Sequence, residues 1–129
     1  MMRTLLFILL TTWTFSSCQE FDENILPLVG IYRAHVVGVA GPFDLIISTD
    51  RGDDVIIEAP FDGESWYTIV ADIDNQTERI MDINIRNQQA AQNISIQGDG
   101  FFVHGTIELK YTMRFGNENV HFKLVGTKL

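Results

Sequence analysis

The sequence predicts an all-β domain: an antiparallel meander of about eight strands, closed into a small barrel or folded as a two-sheet sandwich. Three observations carry that expectation. From residue 28 onward the dominant hydrophobic period is two, short apolar runs recur at regular spacing with turn residues between them, and no stretch beyond the first residues shows the periodicity of an amphipathic helix.

The strands follow in order. The first covers residues 29–39 and is ended by Gly38, Gly41 and Pro42. Next, Phe43, Leu45, Ile47 and Thr49 share a face, with Asp44, Ile46 and Ser48 opposite. Asp50-Arg51-Gly52-Asp53 is turn chemistry, and Val55, Ile57 and Ala59 begin the return strand, which breaks at residues 60–63. Residues 66–73 form the fourth strand and Asp74-Asn75-Gln76 turns the chain into the fifth, 80–85, with Met81, Ile83 and Ile85 on one side. Residues 87–92 fit either a loop or one helical turn. A short run at 93–97 is expected to break at Gly98-Asp99-Gly100. The clearest alternation comes last: Ile107, Leu109, Tyr111, Met113 and Phe115 against Glu108, Lys110, Thr112 and Arg114, then Val120, Phe122 and Leu124 against His121 and Lys123. Gly116-Asn117-Glu118-Asn119 lies between these two runs and makes them a hairpin.

Composition sets the outer bounds. A length of 129 residues fits one domain, and a 46% hydrophobic content argues against disorder. There are 17 Asp+Glu against 9 Lys+Arg, a formal charge of −8 with no basic stripe, which counts against nucleic acid as a partner. The single cysteine excludes an intrachain disulfide framework and a Cys-rich zinc site.

Residues 1–17 read as an export signal. Arg3 gives a positive start, Leu5-Leu6-Phe7-Ile8-Leu9-Leu10 an apolar run too short to span a bilayer, and Ser16-Ser17 small residues before a cut. Phe15-Ser16-Ser17-Cys18 resembles a bacterial lipobox, with Phe15 where leucine is usual. The resemblance implies that Cys18 becomes the first mature residue and carries acyl chains, placing the protein in a Gram-negative cell envelope as an outer-membrane lipoprotein, on the periplasmic side or at the surface. Each buried methylene of such a chain contributes about 0.8 kcal/mol, and three chains make attachment effectively permanent. Residues 18–27 then serve as acylated cysteine and tether, and 28–129 as the β domain. Gln19-Glu20-Phe21-Asp22-Glu23-Asn24 is either a plain solvated tether or similar to the acidic surface-export tags of Gram-negative lipoproteins.

Gly30-Ile31-Tyr32 is similar to the Gly-x-Trp of lipocalins, with Tyr32 in the place of tryptophan. That resemblance favours the lipocalin-like barrel over the sandwich, and eight strands enclose just enough room for side chains or one small ligand.

Candidate chemistry is sparse. His104 and His121 are expected to point outward on neighbouring late strands, where a cross-strand pair would still lack further metal ligands. Asp72, Asp74 and Glu78 line an oxygen-rich turn, but the glycine and distal glutamate of an EF-hand loop are missing, and Asp and Asn favour turns without calcium. Arg51-Gly52-Asp53 matches an adhesion tripeptide at a position where a tight turn wants glycine anyway. No nucleophile elbow or phosphate-cradling loop is present, and no cofactor is implied, so the expectation is a non-enzymatic protein. Trp66, Tyr67, Phe101 and Phe102, with Phe61, are the candidate ligand-binding aromatics, a rim at an open barrel end suited to a small apolar or glycan ligand. The alternative is an accessory subunit of an envelope complex, docking through Ile46 and Ile56, which sit on the side that alternation makes polar.

Overall fold

A computed structural model describes residues 23–77 and 79–129. The export signal, Cys18 and the first part of the tether lie outside the described residues, as does Glu78. Eight antiparallel strands close into an up-and-down barrel: β1 (Gly30–Val36), β2 (Ala40–Thr49), β3 (Asp54–Ala59), β4 (Tyr67–Asp74), β5 (Ile80–Ala91), β6 (Ile94–Val103), β7 (Thr106–Phe115) and β8 (Glu118–Lys128). Each strand pairs with its sequence neighbour, and β8 returns to β1 through Tyr32↔Lys128 to Val36↔Leu124. The sandwich is thereby excluded. Closure leaves the β1–β2, β3–β4, β5–β6 and β7–β8 connections at one end, here called upper, and the start of β1 and the end of β8 at the lower end.

The period-two pattern becomes inside and outside. Tyr32, Leu45, Ile57, Ile69, Met81, Ile83, Ile107, Leu109, Met113 and Leu124 point inward and are buried, and no charged side chain is buried among the described residues. Both ends are stoppered. A 3-10 turn at Glu23–Ile25 leads Ile25 and Leu28 into the lower end, where both are fully buried. The Tyr32 hydroxyl donates to the Leu28 carbonyl at 2.6 Å and the Lys128 ammonium to the Pro27 carbonyl at 2.7 Å. At the upper end the β3–β4 loop drops Phe61 into the core. There the Tyr111 hydroxyl donates to the Phe61 carbonyl at 2.6 Å and the two rings meet edge to face at 5.4 Å. The folded unit therefore begins upstream of residue 28. Ile25, expected within the tether, is a core residue, because the barrel floor needs an apolar closure that the strands do not supply.

Two stretches depart from expectation. β6 does not break at Gly98-Asp99-Gly100 but runs through to Val103. Its glycines face inward where β6 and β7 approach closely: a Cβ at Gly98 would collide with the Lys110 carbonyl oxygen and lie 2.6 Å from Tyr111 Cα, and one at Gly100 would meet the Glu108 carbonyl oxygen. Glycine in this strand marks a close backbone approach at a barrel corner. Residues 87–91 are neither loop nor helical turn but continue β5, with register shifts between Ile85 and Gln88 and between Gln89 and Ala91. Each bulge reverses the in–out phase, which erases the period-two signal there.

The bulged end of β5 also parts from β4, whose pairing with β5 is confined to Asp72↔Asn84 through Asp74↔Asp82. Above that point the Gln88 side-chain amide takes the place of a strand peptide. It accepts from the Val70 N–H at 3.0 Å and donates to the Val70 carbonyl at 2.7 Å.

Candidate functional site

The aromatic rim is not assembled. Trp66 and Tyr67 stand at the upper end, whereas Phe101 and Phe102 lie in the lower half of β6, so strand direction puts the two pairs at opposite ends of the barrel. Tyr67 (7% exposed) and Phe102 (3%) belong to the core, Phe102 edge to face with Tyr32 at 6.4 Å. Their neighbours Trp66 (56%) and Phe101 (40%) face solvent, Trp66 resting edge-on against Phe43. With Tyr32, Phe61, Met81, Phe102 and Tyr111 filling the axis, the lumen is packed with side chains and is not the open ligand cavity the sequence suggests.

Closing the upper end is the work of Asp62. Its Oδ1 accepts from the Glu64 and Ser65 amides at 2.8 and 2.9 Å and its Oδ2 from the Tyr67 hydroxyl at 2.7 Å. Burial opposes the Asp62 charge, but those donors outweigh it and hold the carboxyl below its ordinary range. Burial, reinforced by the bond to Asp62, pushes the Tyr67 phenol up to about 12. Tyr32 and Tyr111 are raised further by burial.

The other sequence candidates separate as well. His104 occupies the β6–β7 turn at the lower end with φ of 49°, while His121 faces outward on β8 in the upper half, so they form no pair. Asp72 and Asp74 converge with Asp53, their carboxylate oxygens within 4.8 Å of one another. Three such oxygens fall short of the six to eight that calcium takes, and Arg86 already supplies a counter-charge to Asp72 at 3.1 Å. Asp54, opposite Asp72 across β3 and β4, is shifted upward by burial and then by Asp72 and Asp53. Ile46 is exposed, and it pairs with exposed Ile31, while Ile56 pairs with exposed Val70; the two apolar pairs are offset by two residues on the outer face of β1–β4, with Glu58 beside Ile46 and Ser48 beside Ile56.

The feature that sequence reading missed lies on the opposite wall. The outer surface of β5–β8 carries a groove of about 980 Å³, flanked by Val37 and Val39 of the β1–β2 turn. A second depression, lined by Asn87, Ser95, Gln97, Thr112, Arg114 and Asn119, continues it toward the upper end. Register builds the floor in rows. Asn84, Asp99, Lys110 and Lys123 stand side by side on successive strands; next come Gln97, Thr112 and His121, then Ser95, Arg114 and Asn119. Thr112 Oγ1 and His121 Nδ1 are 2.7 Å apart, and Lys123 pairs with Glu108 at 2.7 Å. Gly98 itself lines the groove, at the place where the β6 and β7 backbones lie close together. Alternation alone marks its residues as outward; only the register shows that they form one surface. Comparison with protein families, characterised proteins and solved structures finds no match.

Proposed function

We propose that the protein is a non-enzymatic binding module of a Gram-negative envelope, anchored through acylated Cys18, and that it takes an extended polar ligand of the glycan class along the outer wall of β5–β8. One observation carries this: the lumen is filled, while the outer groove presents amide and hydroxyl side chains from four adjacent strands in register. Each row sets one amide beside hydroxyl, imidazole or charged groups, so donors and acceptors stand together for the hydroxyls of a sugar chain, with Val37, Val39, Val120 and Phe122 as an apolar margin for its ring faces. The described chain enters at the lower end, so a tether there would turn the upper end of the groove away from the membrane.

Titration of the detergent-solubilised full chain against oligosaccharides tests the site. Gln97→Ala and Asn84→Ala are expected to weaken binding and Trp66→Ala to leave it unchanged. A ligand lost on Trp66→Ala but held by both groove variants would refute the assignment. For the anchor, Cys18→Ser is expected to abolish labelling by radioactive palmitate and release the protein from the membrane fraction; membrane retention without label would overturn it.

An accessory role rests on a different observation, the two offset apolar pairs Ile31–Ile46 and Ile56–Val70. It predicts a partner that co-purifies with the wild type and is lost with Ile46→Lys, and a strictly monomeric, partner-free wild type extracted from its native membrane would exclude it.

A further inference from the structure

The charge on the groove runs against the charge of the molecule. The chain holds 17 acids and 9 bases, yet four cations, Arg86, Lys110, Arg114 and Lys123, line the groove and its upward continuation against one acid, Asp99. Two of the four are neutralised from outside the groove, Arg86 by Asp72 and Lys123 by Glu108. The other two have no ion-pair partner among the described residues: Lys110 stands between Asp99 and Lys123 beyond pairing distance, and the Arg114 Nε donates to the Gly116 carbonyl at 3.0 Å. Both lie on β7 with outward side chains, four residues and so about 13 Å apart along the strand. Thr112 stands between them, with Gln97 and His121 on either side.

From this we infer that the ligand is an acidic glycan, carrying carboxylate or sulfate groups spaced more than one sugar apart, with Lys110 and Arg114 each engaging one anion and the Gln97–Thr112–His121 row engaging the hydroxyls between. The inference rests on the groove being a glycan site and adds its charge specificity. Nucleic acid fits less well. The two aromatic rings that line the groove, buried Tyr111 and half-buried Phe122, stack on each other instead of standing free for a base, and a duplex or strand with a charge at every phosphate meets the repulsion of a molecule at −8. A sparsely charged sugar chain matches two separated cations.

The test uses the detergent-solubilised full chain and four probes: a hyaluronan oligosaccharide, with a carboxylate on every second sugar, a keratan sulfate oligosaccharide sulfated on alternate sugars, the carboxyl-reduced neutral form of the first, and a single-stranded oligonucleotide. At least one acidic probe is expected to bind about tenfold more tightly than the neutral form, the advantage shrinking as salt rises. Lys110→Gln and Arg114→Gln are each expected to weaken it about threefold, the scale of one exposed ion pair, with the circular dichroism spectrum unchanged. Arg33→Gln, whose side chain pairs with Asp44 on the far wall, is expected to have no effect. If the neutral probe binds as tightly and only Gln97→Ala and Asn84→Ala weaken it, the acidic specificity is wrong while the glycan groove stands. If no sugar probe binds, both fall. Tightest binding by the oligonucleotide overturns the ligand class.

Discussion

Gly98→Ala puts one methyl group where the β6 backbone presses on β7, and its cost can be worked from the contacts. The new Cβ would strike the Lys110 carbonyl oxygen and lie 2.6 and 2.7 Å from Tyr111 Cα and Cβ, where ordinary contact begins at 3.4 Å. The obstructing atoms are mainly backbone, so no rotamer change relieves them, and β7 must retreat by close to an ångström. That stretches the ladder bonds around Gly98↔Tyr111 and pulls on the Tyr111 hydroxyl beneath Phe61. Overpacking of this kind costs about 1–3 kcal/mol, here at the upper part of the range, offset by the ~0.5–1 kcal/mol that alanine gains over glycine within a strand. A net loss of about 2 kcal/mol lowers the urea midpoint by about 1 M for a protein of this size. Equilibrium unfolding followed by far-ultraviolet circular dichroism reads it directly. Gly38→Ala is the control: its Cβ meets nothing within 4 Å, so only the left-handed backbone (φ 72°) is penalised, by about 1–2 kcal/mol. A Gly98→Ala midpoint at or above wild type would refute the close approach of β6 to β7.

Tyr111→Phe leaves the Phe61 carbonyl without its donor at the upper end and is expected to cost about 1–3 kcal/mol in urea unfolding, whereas loss of a few tenths or less would show that the bond does not hold the loop. The Asp62–Tyr67 clasp defines a pH window. Asp62 is depressed in the fold, so its contribution is present above its ordinary carboxylate value of 3.8 and is lost as pH falls through the folded value; Tyr67 is raised, so its contribution is present below 10.0 and is lost as pH rises through about 12. Unfolding free energy measured across pH should therefore fall at both extremes, with Asp62→Asn flattening the acid limb and Tyr67→Phe the alkaline one. Gln88→Ala removes both bonds to Val70 and is expected to cost about 1–2 kcal/mol and to speed amide exchange at Val70; unchanged exchange there would show that the upper part of β4 does not depend on the side chain.

Most of the strand layout was legible because the inward side chains among the described residues are aliphatic or aromatic, with tyrosine hydroxyls their chief polar groups, and the outside is predominantly polar, so burial writes itself into every second residue. The failures have physical causes. Gly98 and Gly100 read as breakers because glycine ends more strands than it bends, and only the neighbouring strand shows that the missing side chains are what allow contact. Residues 87–91 lost their signal to two bulges, each of which swaps the inward and outward positions beyond it. Ile25 and Leu28 carry no periodicity, since a plug needs apolar residues at no fixed spacing. The aromatic candidates failed on direction. In a meander the start of the fourth strand and the end of the sixth must lie at opposite ends, so Trp66 and Phe101 could have been separated from the strand count alone. The groove was the least legible feature, because Lys110, Thr112 and Arg114 look like any solvated strand face until Gln97, His121 and Asn119 are set beside them.

The lower stopper has a mechanical consequence. The N-terminal segment is fastened at two points, the Leu28 carbonyl by Tyr32 on β1 and the Pro27 carbonyl by Lys128 on β8, and those two strands are the pair whose meeting closes the ring. A pull on the N-terminus is thus shared between the first and last staves of the barrel. It loads their joint from both sides instead of peeling β1 away alone, the geometry that the proposed anchor at Cys18 would call on.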